Sequence, residues 1–168
     1  MVNNLIQEFK KKKNGVPFSI MFVNFLFQRV FRIDCQCKYP KNYTSRVLCS
    51  KKLVIEDNCR NVLRSLAVSG GCYIQAANGV SIGRGTIWSF NVVIVSQDHD
   101  LDDYLKAPES DPIKIGRDCW IGANSTILPG VELGARTIVG ANSVVAKSFP
   151  DGSAIIAGTP ARIIKKLV

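Results

Sequence analysis

The stretch "IGRDCWIGANSTILPGVELGARTIVGANSVVAKSFP", residues 115–150, divides into six units of six. The first residue of each unit is aliphatic: Ile115, Ile121, Ile127, Leu133, Val139 and Val145. Fifth positions include Cys119, Ser125, Val131, Thr137 and Ser143, all small, and Gly116, Gly122, Gly134 and Gly140 hold second positions. A period of six matches neither an amphipathic helix nor a simple two-sided strand. Repetition at a fixed period is therefore read as architecture first. Six residues make one short strand and one turn, and three such units close a triangular coil. The aliphatic residue points inward and stacks on its equivalents above and below. The small residue fits the cramped corner, and glycine suits a turn with unusual backbone angles. The fold is expected to be mainly β, a parallel β-helix. Upstream, "VSIGRGTIWSFNVVIVSQDH" (80–99) continues the pattern through Ile82, Trp88 and Ile94, with Gly83 again in second place.

Composition sets the frame for this repeat. At 168 residues and 46% hydrophobic content, the chain is long enough for one domain with a real core and short for two. We expect a β-helix domain over residues 40–168 and a basic, apolar, helical appendage over 1–39. The sequence opens with no signal-peptide pattern and holds no apolar run near the roughly 20 residues of a membrane span, so the expected location is cytoplasmic. Cys35, Cys37, Cys49, Cys59, Cys72 and Cys119 form no CxxC pair, and a single histidine cannot complete a usual zinc set. Reduced, mostly buried thiols and no metal are expected. The net charge of +9 lies entirely in residues 1–64, which carry 13 Lys/Arg against 4 Asp/Glu. No recognised nucleic-acid motif accompanies that charge, so an anionic membrane face or anionic substrate is the expected partner and nucleic acid is not.

At these residues the sequence resembles the hexapeptide-repeat acyltransferases, over roughly residues 40–168. The resemblance implies a left-handed coil, an exception to the right-handed crossover rule. "CYIQAANGVSIG", "HDLDDY", "DCWIGANSTILPGVELG", "VGANSVVAKSFP" and "IAGTPARIIKKL" look most like the sugar and polysaccharide O-acetyltransferases, relatives of the maltose, galactoside and nodulation-factor enzymes. That likeness implies an acetyl-CoA-dependent O-acetyltransferase, a homotrimer, acting on a saccharide or lipid-linked glycan in surface polysaccharide assembly. Drug-modifying acetyltransferases of the streptogramin and chloramphenicol kind and sugar N-acetyltransferases are the alternatives among enzymes. A noncatalytic β-helix scaffold is the alternative of another class. A β-helical carbonic anhydrase, with three zinc-bound histidines, does not fit a chain that has one.

That histidine, His99, stands where the repeat breaks. Ile94 and Ile115 are 21 residues apart, so the phase is lost and three extra residues must leave the wall, which makes "HDLDDYLKAPESDP" (99–112) an extruded loop. Loops on a rigid scaffold collect catalytic groups. Acyl transfer from a thioester to a hydroxyl needs a base that is neutral near pH 7, and imidazole meets that demand. A partner at the other ring nitrogen must hold one tautomer; Asp98, Asp100, Asp102 and a backbone carbonyl are the candidates. The resemblance places the catalytic histidine at this junction. It also sets Tyr73 and Gln75 where galactoside-type relatives line the acceptor pocket with Tyr-x-Asn, glutamine moving the amide one carbon outward, and adds Asp100 as an acceptor contact.

The resemblance further implies a coenzyme A groove between coils of adjacent subunits. Ser89, Trp120, Gly122, Ala123, Ala141 and Ala146 border the pantetheine arm, and Thr159 belongs to the "AGTPARIIKK" motif beside it. Lys147, Arg162, Lys165 and Lys166 meet the phosphates. In the N-terminal segment, "VPFSIMFVNFLFQRVFRI" (16–33) follows four lysines. At helical spacing Pro17, Asn24, Gln28 and Arg32 fall on one narrow stripe, leaving a wide apolar face. Such a helix either packs on the solenoid or lies in a membrane interface, at the inner membrane face.

Overall fold

The inward aliphatic residues stack into three columns that define the architecture. In the computed structural model, which describes residues 15–108 and 110–168, Val47, Ile74, Ile94, Ile127 and Val145 align through successive parallel pairings. Ile55, Ile82, Ile115 and Leu133 form a second column, extended by a bridge from Leu133 to Phe149. Trp88, Ile121, Val139 and Ile156 form the third. None of these side chains is more than 8% exposed. The result is a parallel β-helix of triangular section, as the six-residue period requires, and left-handed, as the resemblance implies.

Face A holds β1 (Arg46–Leu48), β3 (Tyr73–Gln75), β6 (Val93–Val95), β9 (Thr126–Ile127) and β12 (Val144–Val145). Face B holds β2 (Leu53–Ile55), β4 (Val80–Ile82), β7 (Ile113–Ile115) and β10 (Glu132–Leu133). Face C holds β5 (Ile87–Trp88), β8 (Trp120–Ile121), β11 (Ile138–Val139), β13 (Ala154–Gly158) and β14 (Ala161–Lys166). β14 turns back antiparallel on β13, so the basic C-terminal strand extends face C.

The second-position glycines serve a purpose other than the expected one. Left-handed backbone falls at the fourth position of the unit, with φ of 55° at Asp118, 58° at Asn124, 70° at Gly130, 58° at Arg136 and 56° at Asn142. The second position is instead where coils touch. A Cβ on Gly116 would lie 2.6 Å from the Ala135 nitrogen, and one on Gly122 would lie 2.6 Å from the Ala141 nitrogen. Fifth-position residues staple the same corners: Thr137 and Ser143 hydroxyls donate at 2.7 Å to the Gly134 and Gly140 carbonyls, and Thr86 donates at 2.7 Å to Gly116. Small polar side chains are thus fully buried there and fully bonded.

Two long insertions interrupt the regular coil, in which three units of six carry the chain from Ile127 to its stacked equivalent Val145. The step from Ile55 to Ile82 is half a coil longer, because α2 (Arg60–Val68) replaces a face C strand. This helix buries Val62 and Leu66, and its Ser65 Oγ accepts the Trp88 N–H at 3.3 Å. The step from Ile94 to Ile127 is nearly twice the regular coil. Ile94 and Ile115 occupy adjacent faces, a single repeat unit apart in the wall, so most of the chain between them is surplus, where the phase count gives only three residues. The loop accordingly spans 96–112 and begins three residues earlier than expected.

The N-terminal segment forms α1 (Phe18–Phe25) and a π-turn (Leu26–Val30), while residues 1–14 of the expected helical appendage lie outside the described residues. Its polar stripe faces inward: Asn24 and Gln28 are buried, whereas Pro17 and Arg32, the ends of the expected stripe, are exposed. Of the cysteines, Cys37, Cys72 and Cys119 are buried, Cys35 and Cys59 half-buried and Cys49 exposed, all as free thiols.

Because Gly116 has no room for a methyl group against backbone, Gly116→Ala should lower unfolding free energy by about 1–3 kcal/mol in denaturant titration. Arg136→Gly, which relieves a left-handed residue at the fourth position, should change it by less than about 1 kcal/mol. Equal losses at the two sites would contradict this division of roles.

Candidate active site

The loop that carries His99 is tied down at its neck. Ser96 N–H donates to the Gln75 carbonyl at 3.0 Å and to Gln75 Oε1 at 3.2 Å. Across the neck, Ser110 Oγ donates to the Ser96 carbonyl at 2.9 Å and accepts from Asn78 Nδ2 at 2.9 Å. Gln75, expected at an acceptor pocket, therefore uses its amide oxygen to anchor the loop. Beyond the neck, Asp100 Oδ1 accepts the backbone N–H groups of Asp102 and Asp103 at 2.9 and 3.0 Å, and Asp103 Oδ1 accepts that of Leu105 at 3.1 Å. These side-chain turns fold the chain back so that the Asp100 N–H reaches the Lys106 carbonyl at 3.0 Å.

The tight return brings the Tyr104 carbonyl to 2.6 Å from His99 Nδ1. Of the candidate partners, the backbone carbonyl holds the ring; the Asp100 carboxylate builds the turn. A carbonyl can only accept, so the neutral ring carries its proton on Nδ1 and its lone pair on Nε2. His99 is exposed, as are Leu101, Tyr104 and Leu105, at 89, 73 and 97%. The loop tip is thus an apolar surface that its own chain leaves uncovered.

The outer surface of face C gathers most of the residues expected at coenzyme A. Register aligns Ser89, Gly122, Gly140, Ala157 and Arg162 in one row across β5, β8, β11, β13 and β14. The neighbouring row runs Ile87, Trp120, Ile138, Ile155 and Lys165. A strip without bulky side chains thus ends at a guanidinium, bordered by a half-exposed indole and ending beside an ammonium. Gly122 N–H donates to the Val139 carbonyl at 2.8 Å, so Gly122, which is buried against the Ala141 backbone, adds no bulk to the row and no hydrogen bond from that amide. Ala123, Ala141 and Thr159 continue the strip around the edge between faces C and A, where Thr159 Oγ1 donates to the Asn142 carbonyl at 3.4 Å.

Ala146 and Lys147 lie elsewhere. They follow β12 at the edge between faces A and B, with Lys147 Nζ 5.6 Å from the Phe149 ring centre. Lys147 therefore does not share a cluster with Arg162, Lys165 and Lys166 within one chain. The His99 loop leaves from that same A–B edge, with Tyr73 and Gln75 on face A beside it. Within a single chain the imidazole and the small-residue strip occupy opposite edges of face A. Burial pushes the Cys72 and Cys119 thiols up, so neither offers a thiolate near the strip. The features that sequence reasoning misses are the Tyr104 carbonyl and the Asn78–Ser96–Ser110 neck; the Asp-x-Asp-Asp pattern at 100–103 is their one legible sign.

A coil of six-residue units with an imidazole on an extruded loop is the architecture of a transferase family, and the comparisons agree. Residues 112–147 match the family described as bacterial transferase hexapeptide (six repeats). The chain is 34% identical over 155 residues to WbbJ of Escherichia coli (strain K12), which is named as a lipopolysaccharide biosynthesis O-acetyl transferase; the match covers 83% of this chain and 76% of WbbJ. The chain belongs to the hexapeptide-repeat acetyltransferases. Among solved structures, it resembles a maltose O-acetyltransferase from Clostridium difficile 630 at 31% identity and TM-score 0.51, over 58% of this chain and 53% of that one. It resembles the polysialic acid O-acetyltransferase OatWY at 31% identity and TM-score 0.51, over 60% and 50%. The match spans about half the length of each of these two structures.

Since the chain holds one histidine, labelled imidazole gives a single set of nitrogen signals by NMR. The neutral ring is expected as the Nδ1–H tautomer, and Asp100→Ala, which loosens the turn, should mix the two forms. A wild-type ring found as Nε2–H would contradict the Tyr104 bond.

Proposed function

We propose that the chain is an acetyl-CoA-dependent O-acetyltransferase of saccharide hydroxyls, with residues 40–168 as its catalytic domain and His99 as its general base. The observation that carries this is the Tyr104 carbonyl on Nδ1 at 2.6 Å, which leaves a lone pair on Nε2 of an exposed ring. Nε2 takes the proton of the acceptor hydroxyl as its oxygen attacks the thioester carbonyl. The tetrahedral intermediate collapses, the carbon–sulfur bond breaks, and the proton on Nε2 passes to the departing thiolate. Nδ1 keeps its own proton throughout.

The strip from Ser89 to Arg162 suits a long, thin donor, with Arg162, Lys165 and Lys166 at the end for its phosphates. Because that strip and His99 lie on opposite edges of face A, the reading requires a second chain: the loop of one subunit reaches the strip of the next. A homotrimer supplies that arrangement three times by symmetry. The exposed Leu101, Tyr104 and Leu105 support it as surface to be covered by a neighbour. The likeness to WbbJ supports a role in surface polysaccharide assembly on a lipid-linked glycan. That role puts the enzyme at the inner face of the membrane; among the described residues no helix is long and apolar enough to cross it.

The test is transfer of labelled acetyl from acetyl-CoA to saccharide and lipid-linked acceptors. His99→Ala should lower the rate by roughly 100-fold to 10,000-fold, the usual contribution of a placed proton acceptor. Coenzyme A affinity should stay within about twofold, because its contacts lie on the wall. A wild-type rate in the variant would overturn the mechanism.

A further inference from the structure

Helix α1 is folded with its polarity reversed. A surface helix ordinarily turns its apolar stripe to the core and its polar face to water. In α1 and its π-turn, Asn24 and Gln28 are 2% and 3% exposed, while Phe22, Phe25, Val30 and Phe31 are 51, 55, 55 and 62% exposed. The inversion is held by side-chain amides. Asn24 Nδ2 donates to the Ala67 carbonyl at 2.9 Å, and its Oδ1 accepts the Tyr43 N–H at 2.9 Å. Gln28 Nε2 donates to the Cys37 and Tyr39 carbonyls at 2.8 and 2.9 Å. These bonds pair backbone groups of the 37–43 segment and of α2, so rotating the helix to bury its phenyl rings would strand polar groups at both ends of each bond.

What remains outside is two aromatic groups along the segment: Phe22 stacks with Phe18 at 6.2 Å, and half-buried Phe27 packs against exposed Phe31 at 5.5 Å and Tyr43 at 5.0 Å. Exposed apolar surface of this kind marks an interaction site. Its border is cationic. Arg29, Arg32 and Lys38 are exposed beside it, and Lys10 to Lys13 precede it in the chain. Among the described residues at this end the acid is Asp34, engaged by Lys41 at 3.4 Å and Arg46 at 3.0 Å, which leaves the described border positive.

We infer that this face docks flat into the headgroup region of an anionic lipid bilayer, the phenyl rings entering the acyl boundary and the cations meeting lipid phosphates. An eight-residue helix and one π-turn are too short to span, which leaves lying in the interface as the membrane-bound geometry. A second copy of the chain on the same face would bring two cationic borders together, whereas anionic headgroups neutralise one. The inference rests on the membrane-face placement within the proposed function and is independent of the transfer chemistry.

The full chain should float with vesicles of phosphatidylglycerol and phosphatidylcholine but not with phosphatidylcholine alone. Partition should fall about tenfold or more when salt rises from about 0.05 M to about 0.5 M. A Phe22→Ser, Phe25→Ser, Phe31→Ser variant should lose at least about tenfold of that partition while keeping its hydrodynamic mass and its transfer to a soluble acceptor. Arg32→Glu with Lys38→Glu, which leaves the aromatic face intact, should weaken partition as well. No flotation of the wild type at low salt, or unchanged flotation of both variants, would overturn the inference. So would a smaller assembly in the serine variant, which assigns the face to a second copy. Flotation without any acetyl transfer would count against the enzymatic reading alone.

Discussion

The close stacking of one coil on the next at the glycine corners is the constraint on which the rest of the structure depends. Gly116 and Gly122 each face backbone of the coil beyond, with no room for a methyl group. That contact fixes the coil at three units and holds the inward columns in register. Hydroxyls at the fifth positions bond the same corners. The wall this produces is rigid and featureless on its inside, and chemistry has to be carried on its outer faces and on whatever leaves it.

Two departures from the wall determine what the molecule can do. The 96–112 loop leaves at the A–B edge and is folded by its own carboxylates, which is why an acidic stretch surrounds the imidazole: Asp100 and Asp103 hold the backbone, and the backbone holds the ring. The β14 return extends face C and brings Arg162 into line with Ser89, Gly122 and Ala157. The base and the strip are thus positioned by different interruptions at different edges. Under the proposed function, their meeting requires two chains.

The fold is legible in the sequence because its signal is periodic and steric. Ile115 to Val145 at six-residue spacing leave one architecture that buries them all. The reason for the glycines is not legible, since sequence does not distinguish a residue with left-handed backbone from one that another backbone approaches; only the stacked coils reveal that Asp118, Asn124 and Arg136 bear the left-handed angles. The loop length is undercounted because periodicity tells position within a unit but not how many units are skipped. Composition singles out His99, but its partner is a carbonyl, a group every residue carries. Lys147 and Arg162, expected together at the phosphates in a groove between subunits, fall on different edges of one chain, because position along a coil does not tell which edge a residue reaches. The stripe of Asn24 and Gln28 is visible, whereas the direction it faces is set by the carbonyls of Cys37, Tyr39 and Ala67, to which no pattern points.

The central claim is that the base of one chain serves the strip of another, and co-assembly tests it directly. Chains carrying His99→Ala can be mixed at equal amounts with chains carrying Ala141→Trp, which puts an indole on the exposed C–A edge from a residue that meets Gly122 through its backbone and not its side chain. Each is expected to be inactive alone. Across all randomly assembled trimers, an intact loop from one parent meets an intact strip from the other at about a quarter of the interfaces. Acetyl transfer restored to about that fraction of wild type is the result the account predicts. Activity no greater than the sum of the two parents would mean that each site is built within one chain and would contradict it.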